Sequence, residues 1–86
     1  MNREEILEML EERQFKELRE VLENTHPVDI AELLEEIDDK QMILVFRMLD
    51  KDEAAETFTE MNNDVREVLL SALTDSEIKE VMDEMY

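Results

Sequence analysis

The sequence predicts an all-α fold, a solenoid of short helices, and three observations carry that prediction. Apolar residues fall at i, i+3, i+4 and i+7, the spacing that lines one face of a helix. That pattern recurs every twelve residues from Arg3. The fourth position of each block reads Ile6, Leu18, Ile30, Met42, Ala54, Arg66 and Ile78, and the eighth reads Leu10, Leu22, Leu34, Phe46, Phe58, Leu70 and Met82. Finally, blocks three to six end on Asp38, Asp50, Asn62 and Thr74, whose short side-chain oxygens accept from the free N–H groups of a following helical turn.

The same period excludes one long helix. At about 100° per residue, twelve residues rotate an apolar stripe by roughly 120° beyond whole turns. Seven blocks would wind the stripe around the cylinder and leave no face to bury. Short helices that stop at each cap and fold back bring the stripes together. A twelve-residue period lies below the roughly 20–50 residues of solenoid repeats, which points to two blocks, one helical hairpin, as the packing unit.

Taken in order, Arg3–Gln14 and Phe15–His26 are predicted as two longer helices joined near Gln14-Phe15. Their eleventh positions are polar, Arg13 and Thr25, as in the end cap of a stack. Phe15 is expected to pack into the core and close this hairpin. Block three opens on His26-Pro27, with His26 read as a capping residue and Pro27 at the first helical position, where a missing N–H costs nothing. Block four contains Met42–Leu49, interrupted only by Arg47; it reads as apolar nearly all round, hence as the central helix with neighbours on every side. Blocks five to seven follow with caps at Asp50, Asn62 and Thr74. Thr74 and Glu77 form a capping box, and Asp38 with Gln41 and Asp50 with Glu53 imitate one. Helices should start within a residue or two of Pro27, Asp39, Lys51, Asn63 and Asp75, with Val45 and Phe46 among the most buried residues.

Composition bounds the rest. Eighty-six residues make one small domain. Glycine is absent, so turns must form without left-handed glycine caps. Cysteine is also absent, which removes disulfides and thiolate zinc sites. The N-terminal residues are no signal peptide, and no apolar run reaches membrane-spanning length. Twenty-six acids against nine bases give a net charge of −17, a surface that repels nucleic acid and anionic lipid and strains against itself. Apolar content of 43% in helical phase argues for a packed core over a disordered acidic chain.

No catalytic constellation stands out. Ser71, Ser76 and Thr57 have no histidine at a useful spacing, and there is no glycine loop to cradle phosphate. The lone His26 lacks a second imidazole or a thiol to share a metal, and Met9, Met42, Met61, Met82 and Met85 fall at apolar positions as core fillers. Three acidic rows remain: Asp29, Glu32 and Glu36; Asp52, Glu56 and Glu60, with Glu53 beside them; and Glu77, Glu80 and Glu84. Each reads either as a solvated face or as a surface for a hard cation, since oxygen-only ligands suit Mg²⁺ or Ca²⁺ and not zinc or copper. The central glycine of an EF-hand loop is missing.

The run from His26 to Ile37, with Ala54-Ala55-Glu56 and Val65-Arg66-Glu67-Val68-Leu69 in the same twelve-residue phase, resembles the N-terminal domain of MgtE-type magnesium transporters over nearly the whole chain. The resemblance implies a cytosolic right-handed superhelix of short helices, on the cytoplasmic side of a bacterial plasma membrane. In that family the domain precedes paired CBS domains and a transmembrane magnesium pore, in a parent that is expected to be a homodimer. Magnesium held between the cytosolic parts favours the closed state. By this resemblance Glu56 alone carries over as a magnesium ligand; Asp52 and Glu53, in the same acidic block, are further candidates. Weak Mg²⁺ binding is expected of the domain alone, the chain being read as a piece that lacks the CBS and membrane parts. The alternative is a helical-repeat scaffold for protein–protein contacts, like those of flagellar motor switch proteins, with no metal role.

Overall fold

A computed structural model describes residues 2–85. Among them run seven helices, α1 (Arg3–Glu11), α2 (Phe15–Glu23), α3 (Pro27–Glu36), α4 (Asp39–Met48), α5 (Lys51–Glu60), α6 (Asn63–Ala72) and α7 (Asp75–Met85). Every one begins at the first position of a twelve-residue block. The capping column explains why. The side chains of Asp38, Asp50 and Asn62 accept from the N–H groups of Gln41, Glu53 and Val65 at 2.8, 2.9 and 2.9 Å. Thr74 and Glu77 close the reciprocal box: Glu77 N–H donates to the Thr74 hydroxyl at 3.2 Å, and Thr74 N–H donates to the Glu77 carboxylate at 2.9 Å. At Asp38 and Asp50 only the forward bond forms, so these are plain caps.

Glycine is dispensable because most turns avoid the left-handed region. Ile37, Leu49, Met61 and Leu73 end their helices in extended conformation, with ψ between 145 and 168°. One extended apolar residue and one extended cap therefore reverse the chain, and Leu49, Met61 and Leu73 bury their side chains in doing so. The α1–α2 turn is different. Arg13 sits at φ 56°, Gln14 N–H donates to the Met9 carbonyl at 2.8 Å, and Arg13 N–H to that of Leu10 at 3.2 Å. That is a Schellman ending with arginine where glycine is usual.

Packing joins alternate helices. α3 and α7 both lie against α5 and α6 lies against α4, while α1 meets α2 and α3 meets α4 as sequence neighbours. The repeat unit is thus a two-helix hairpin, and a superhelical winding is consistent with this order. α5 buries Ala54 and Ala55 beside Thr57 and Phe58, and the two small side chains let neighbouring backbones approach closely. A Cα radius of gyration of 12.0 Å equals the ~12 Å expected of a folded chain this long.

Four expectations need correction. α4 is not surrounded: Val45 and Phe46 are buried, but Leu44 is 41% exposed, and the helix with close neighbours on both sides is α5. Phe15 does not close the first hairpin; it is 39% exposed, because Leu18 and Leu22 already supply the buried face of α2. α1 and α2 are nine residues each, shorter than the others, since their turns take up residues that polar eleventh positions cannot bury. His26 occupies the N-cap of α3 without a side-chain hydrogen bond, so fixing the entry of that helix falls to Pro27 alone.

Two arginines do the work of missing C-caps. Arg66 stands at an otherwise apolar position, donates to the Phe58 and Thr59 carbonyls at 2.9 and 2.6 Å, and lies 5.4 Å from the Phe58 ring centroid. A cation over the last carbonyls of α5 is favourable there. Arg47 donates to the Ala72 carbonyl at 3.2 Å and, through two nitrogens, to Glu77 at 2.9 and 3.1 Å. It ties α4 to the α6–α7 junction and holds the Glu77 carboxyl down to about 2.

Candidate functional site

The three candidate ligands lie on α5, whose helix is set by the Asp50 cap and by burial of Ala54, Ala55, Thr57 and Phe58. Those four residues take most of the circumference. Asp52, Glu56 and Glu60 are left on the exposed strip, and Glu53 stands at its edge, half-buried. Sequence spacing places Asp52, Glu53 and Glu56 together; the fold turns them toward different neighbours.

Glu53 faces the end of α2. Burial, followed by the negative charges of Asp50, Glu23 and Glu56, pushes its carboxyl up to about 7. Asp52 faces α7 instead. It shares a hydrogen bond with Glu84, and that bond together with the repulsion between the two groups raises the Glu84 carboxyl above the usual carboxylate range, against a smaller opposing pull from Lys51. Glu56 is exposed between these two places. It borders an open cleft of about 230 Å³ with His26, Val28 and Thr59, and a second of about 330 Å³ with Ala55, Glu84 and Met85.

The arrangement is chemically specific in what it offers a cation. All donors are hard oxygens, which suits Mg²⁺. Among the described residues no three acids or histidines converge closely enough to hold an ion on their own. An octahedral shell of six waters fills roughly 180 Å³ at about 30 Å³ each, so either cleft at Glu56 admits the hydrated ion. The residues therefore fit Mg²⁺ through water, with one or two carboxylates from this chain, and not as a closed cage.

The other acidic rows are partly spent. Glu77 is held by Arg47 and its own capping box, and Glu36 lies 3.8 Å from Arg3. The roles of Glu23 and Glu84 as neighbours of the α5 carboxylates were invisible in the sequence, because each lies some thirty positions from its partner and only the packing of hairpins brings them close.

Among known families, the model of the MgtE intracellular N domain matches residues 25–86. No curated protein matches the chain. The matched part runs from the residue before His26 through α7 and contains the capped repeats, Glu56 and both arginine clamps; α1 and α2 precede it, so the match is narrower than the sequence resemblance. Among the described residues no helix is long and apolar enough to cross a membrane. With well over half of its length covered, the chain belongs to the MgtE family, as an intracellular N-terminal domain of magnesium transporters.

Proposed function

We propose that this domain senses magnesium for the transporter of which it is part. On the cytoplasmic face of the bacterial plasma membrane, it docks through the exposed strip of α5 onto the CBS region of a homodimeric parent and so favours a closed pore. The proposal includes a right-handed winding of the hairpins. The observation that carries it is the state of the α5 strip: Glu53 is pressed among Asp50, Glu23 and Glu56, and Asp52 against Glu84, in a chain of net charge −17.

Uncompensated carboxylates repel an acidic partner, and a divalent cation turns that repulsion into a bridge. Mg²⁺ sheds its water reluctantly and takes one or two protein carboxylates at a time. Glu56, with Asp52 and Glu53 at its sides, would supply this domain's share, and acids of a second domain would complete the set. The ion then binds the docked state better than the separated one, and that difference is what shifts the equilibrium. At low magnesium the same carboxylates drive the domains apart. The test is deletion. A parent transporter lacking residues 25–86 should stay open, or close only at much higher internal magnesium, as read by patch-clamp current against magnesium concentration. Unchanged closure would leave the chain as a helical scaffold with no metal role.

A further inference from the structure

The twelve-residue repeat allows equivalent surface positions to be compared between helices, and one of them is uneven. The sixth position of each block, opposite the core-facing fourth, seventh, eighth and eleventh, reads Glu8, Glu20, Glu32, Leu44, Glu56, Val68 and Glu80. Five repeats place a glutamate where the helix meets solvent. The two that do not, α4 and α6, are packed against each other. Leu44 is 41% and Val68 37% exposed, so two aliphatic side chains stand on helices that pack together, whereas the exposed Phe15 and Val28 lie on α2 and α3. Ile43 and Val65 on the same two helices are half-buried against the core.

Charge follows the same division. α4 is the one helix in which bases outnumber acids, Lys40 and Arg47 against Asp39, and its neighbour α6 carries Asp64 and Glu67 against Arg66. Elsewhere a second protein of this acidity would be repelled. Here the two helices cancel, and they are complementary to each other: Lys40 and Leu44 on α4 stand at the block positions that Asp64 and Val68 occupy on α6.

We propose that the α4–α6 ridge is an interface between two copies of this chain. A two-fold axis running along the groove between the helices sets α4 of one copy over α6 of the other. Leu44 then packs on Val68, and Lys40 faces Asp64, twice over, as an isologous contact requires. The occupant that fits α4 is thus the surface next to it. Each helix is ten residues long, about 15 Å. Two of them side by side at about 10 Å spacing offer roughly 300 Å² per copy, well below the ~800 Å² of a stable complex. The contact is therefore weak and exchanging. It lies apart from the Glu56 strip and does not depend on magnesium.

Sedimentation velocity of the 86-residue chain, from about 20 μM to about 1 mM, tests it against two variants of equal charge. The wild type should shift toward twice its monomer mass as concentration rises, with methyl resonances of Leu44 and Val68 moving in parallel. The double variant Leu44→Glu/Val68→Glu gives both repeats the residue that five others carry. It should keep its helical circular dichroism while its dissociation constant rises at least about tenfold. Phe15→Glu/Ser76→Glu, at exposed positions on α2 and α7, should associate as the wild type does. Lys40→Asp should weaken association and Lys40→Asp/Asp64→Lys restore it. A wild type that stays monomeric throughout would overturn the proposal. So would a Leu44→Glu/Val68→Glu chain that dimerises normally, or an equal loss in both double variants.

Discussion

Replacing Glu53 with glutamine should make the domain more stable at neutral pH and leave it unchanged in mild acid. Burial and three neighbouring carboxylates raise the Glu53 carboxyl from 4.5 to about 7. Between those values the folded chain binds a proton that the unfolded chain has released. Stability therefore falls as pH rises through that window, and the loss is complete above about 7. At 1.36 kcal/mol per pKa unit the full displacement is worth roughly 3 kcal/mol. Glu53 is only half-buried, and water on its open side screens the neighbours, which reduces the expected cost to about 1 kcal/mol. Glutamine keeps the size and the backbone N–H that donates to Asp50, and it carries no charge. Thermal unfolding followed by circular dichroism should give a variant Tm about 4–8 °C above wild type at pH 8, with the two curves meeting near pH 4.5. Glu60→Gln, on the exposed strip, controls for the loss of one charge and should shift the curve far less. Parallel pH profiles for wild type and Glu53→Gln would refute the reasoning.

Two further outcomes follow from named atoms. Thr57 is fully buried and its hydroxyl has no hydrogen-bond partner among the described residues, so Thr57→Val should stabilise the fold by about 1 kcal/mol in urea titrations; a lower midpoint would mean that the hydroxyl is satisfied in solution. Millimolar MgCl₂ should raise the Tm above that in NaCl at equal ionic strength, by an amount worth less than about 1 kcal/mol, because the described residues hold no closed ligand set. Equal midpoints would reduce the effect to ordinary screening.

The helix starts were legible because each is fixed locally, by a cap at the end of one block and an apolar face in the next. The same local rules could not show which helix is central. Met42–Leu49 looks like the core by hydropathy, yet the crowded helix is α5, whose alanines owe their place to close approach and not to apolar bulk. Arg66 breaks the apolar fourth position, and its reason, two carbonyls at the end of α5 and a ring beneath, exists only after α5 and α6 have packed. Phe15 failed in the opposite sense: an aromatic near a turn promises burial, but Leu18 and Leu22 had already filled the face. For the candidate site, the sequence placed Asp52, Glu53 and Glu56 on one helix. Their different surroundings, Glu23 for one and Glu84 for another, are tertiary and left no periodic signal.

The central claim, that Glu56 contributes to a magnesium-dependent closed state, is met most directly by Glu56→Ala in the full-length parent transporter. Glu56 is an exposed residue on α5, so its removal should leave the fold and its unfolding curve intact. Magnesium should still close the pore, because the proposed site would keep Asp52 and the acids of the second domain, but the midpoint of closure should move to higher concentration. Losing one charge-assisted contact worth about 1.4 kcal/mol would displace it about tenfold. Closure at the same magnesium concentration as wild type, in a transporter that is folded and conducts, would contradict the account.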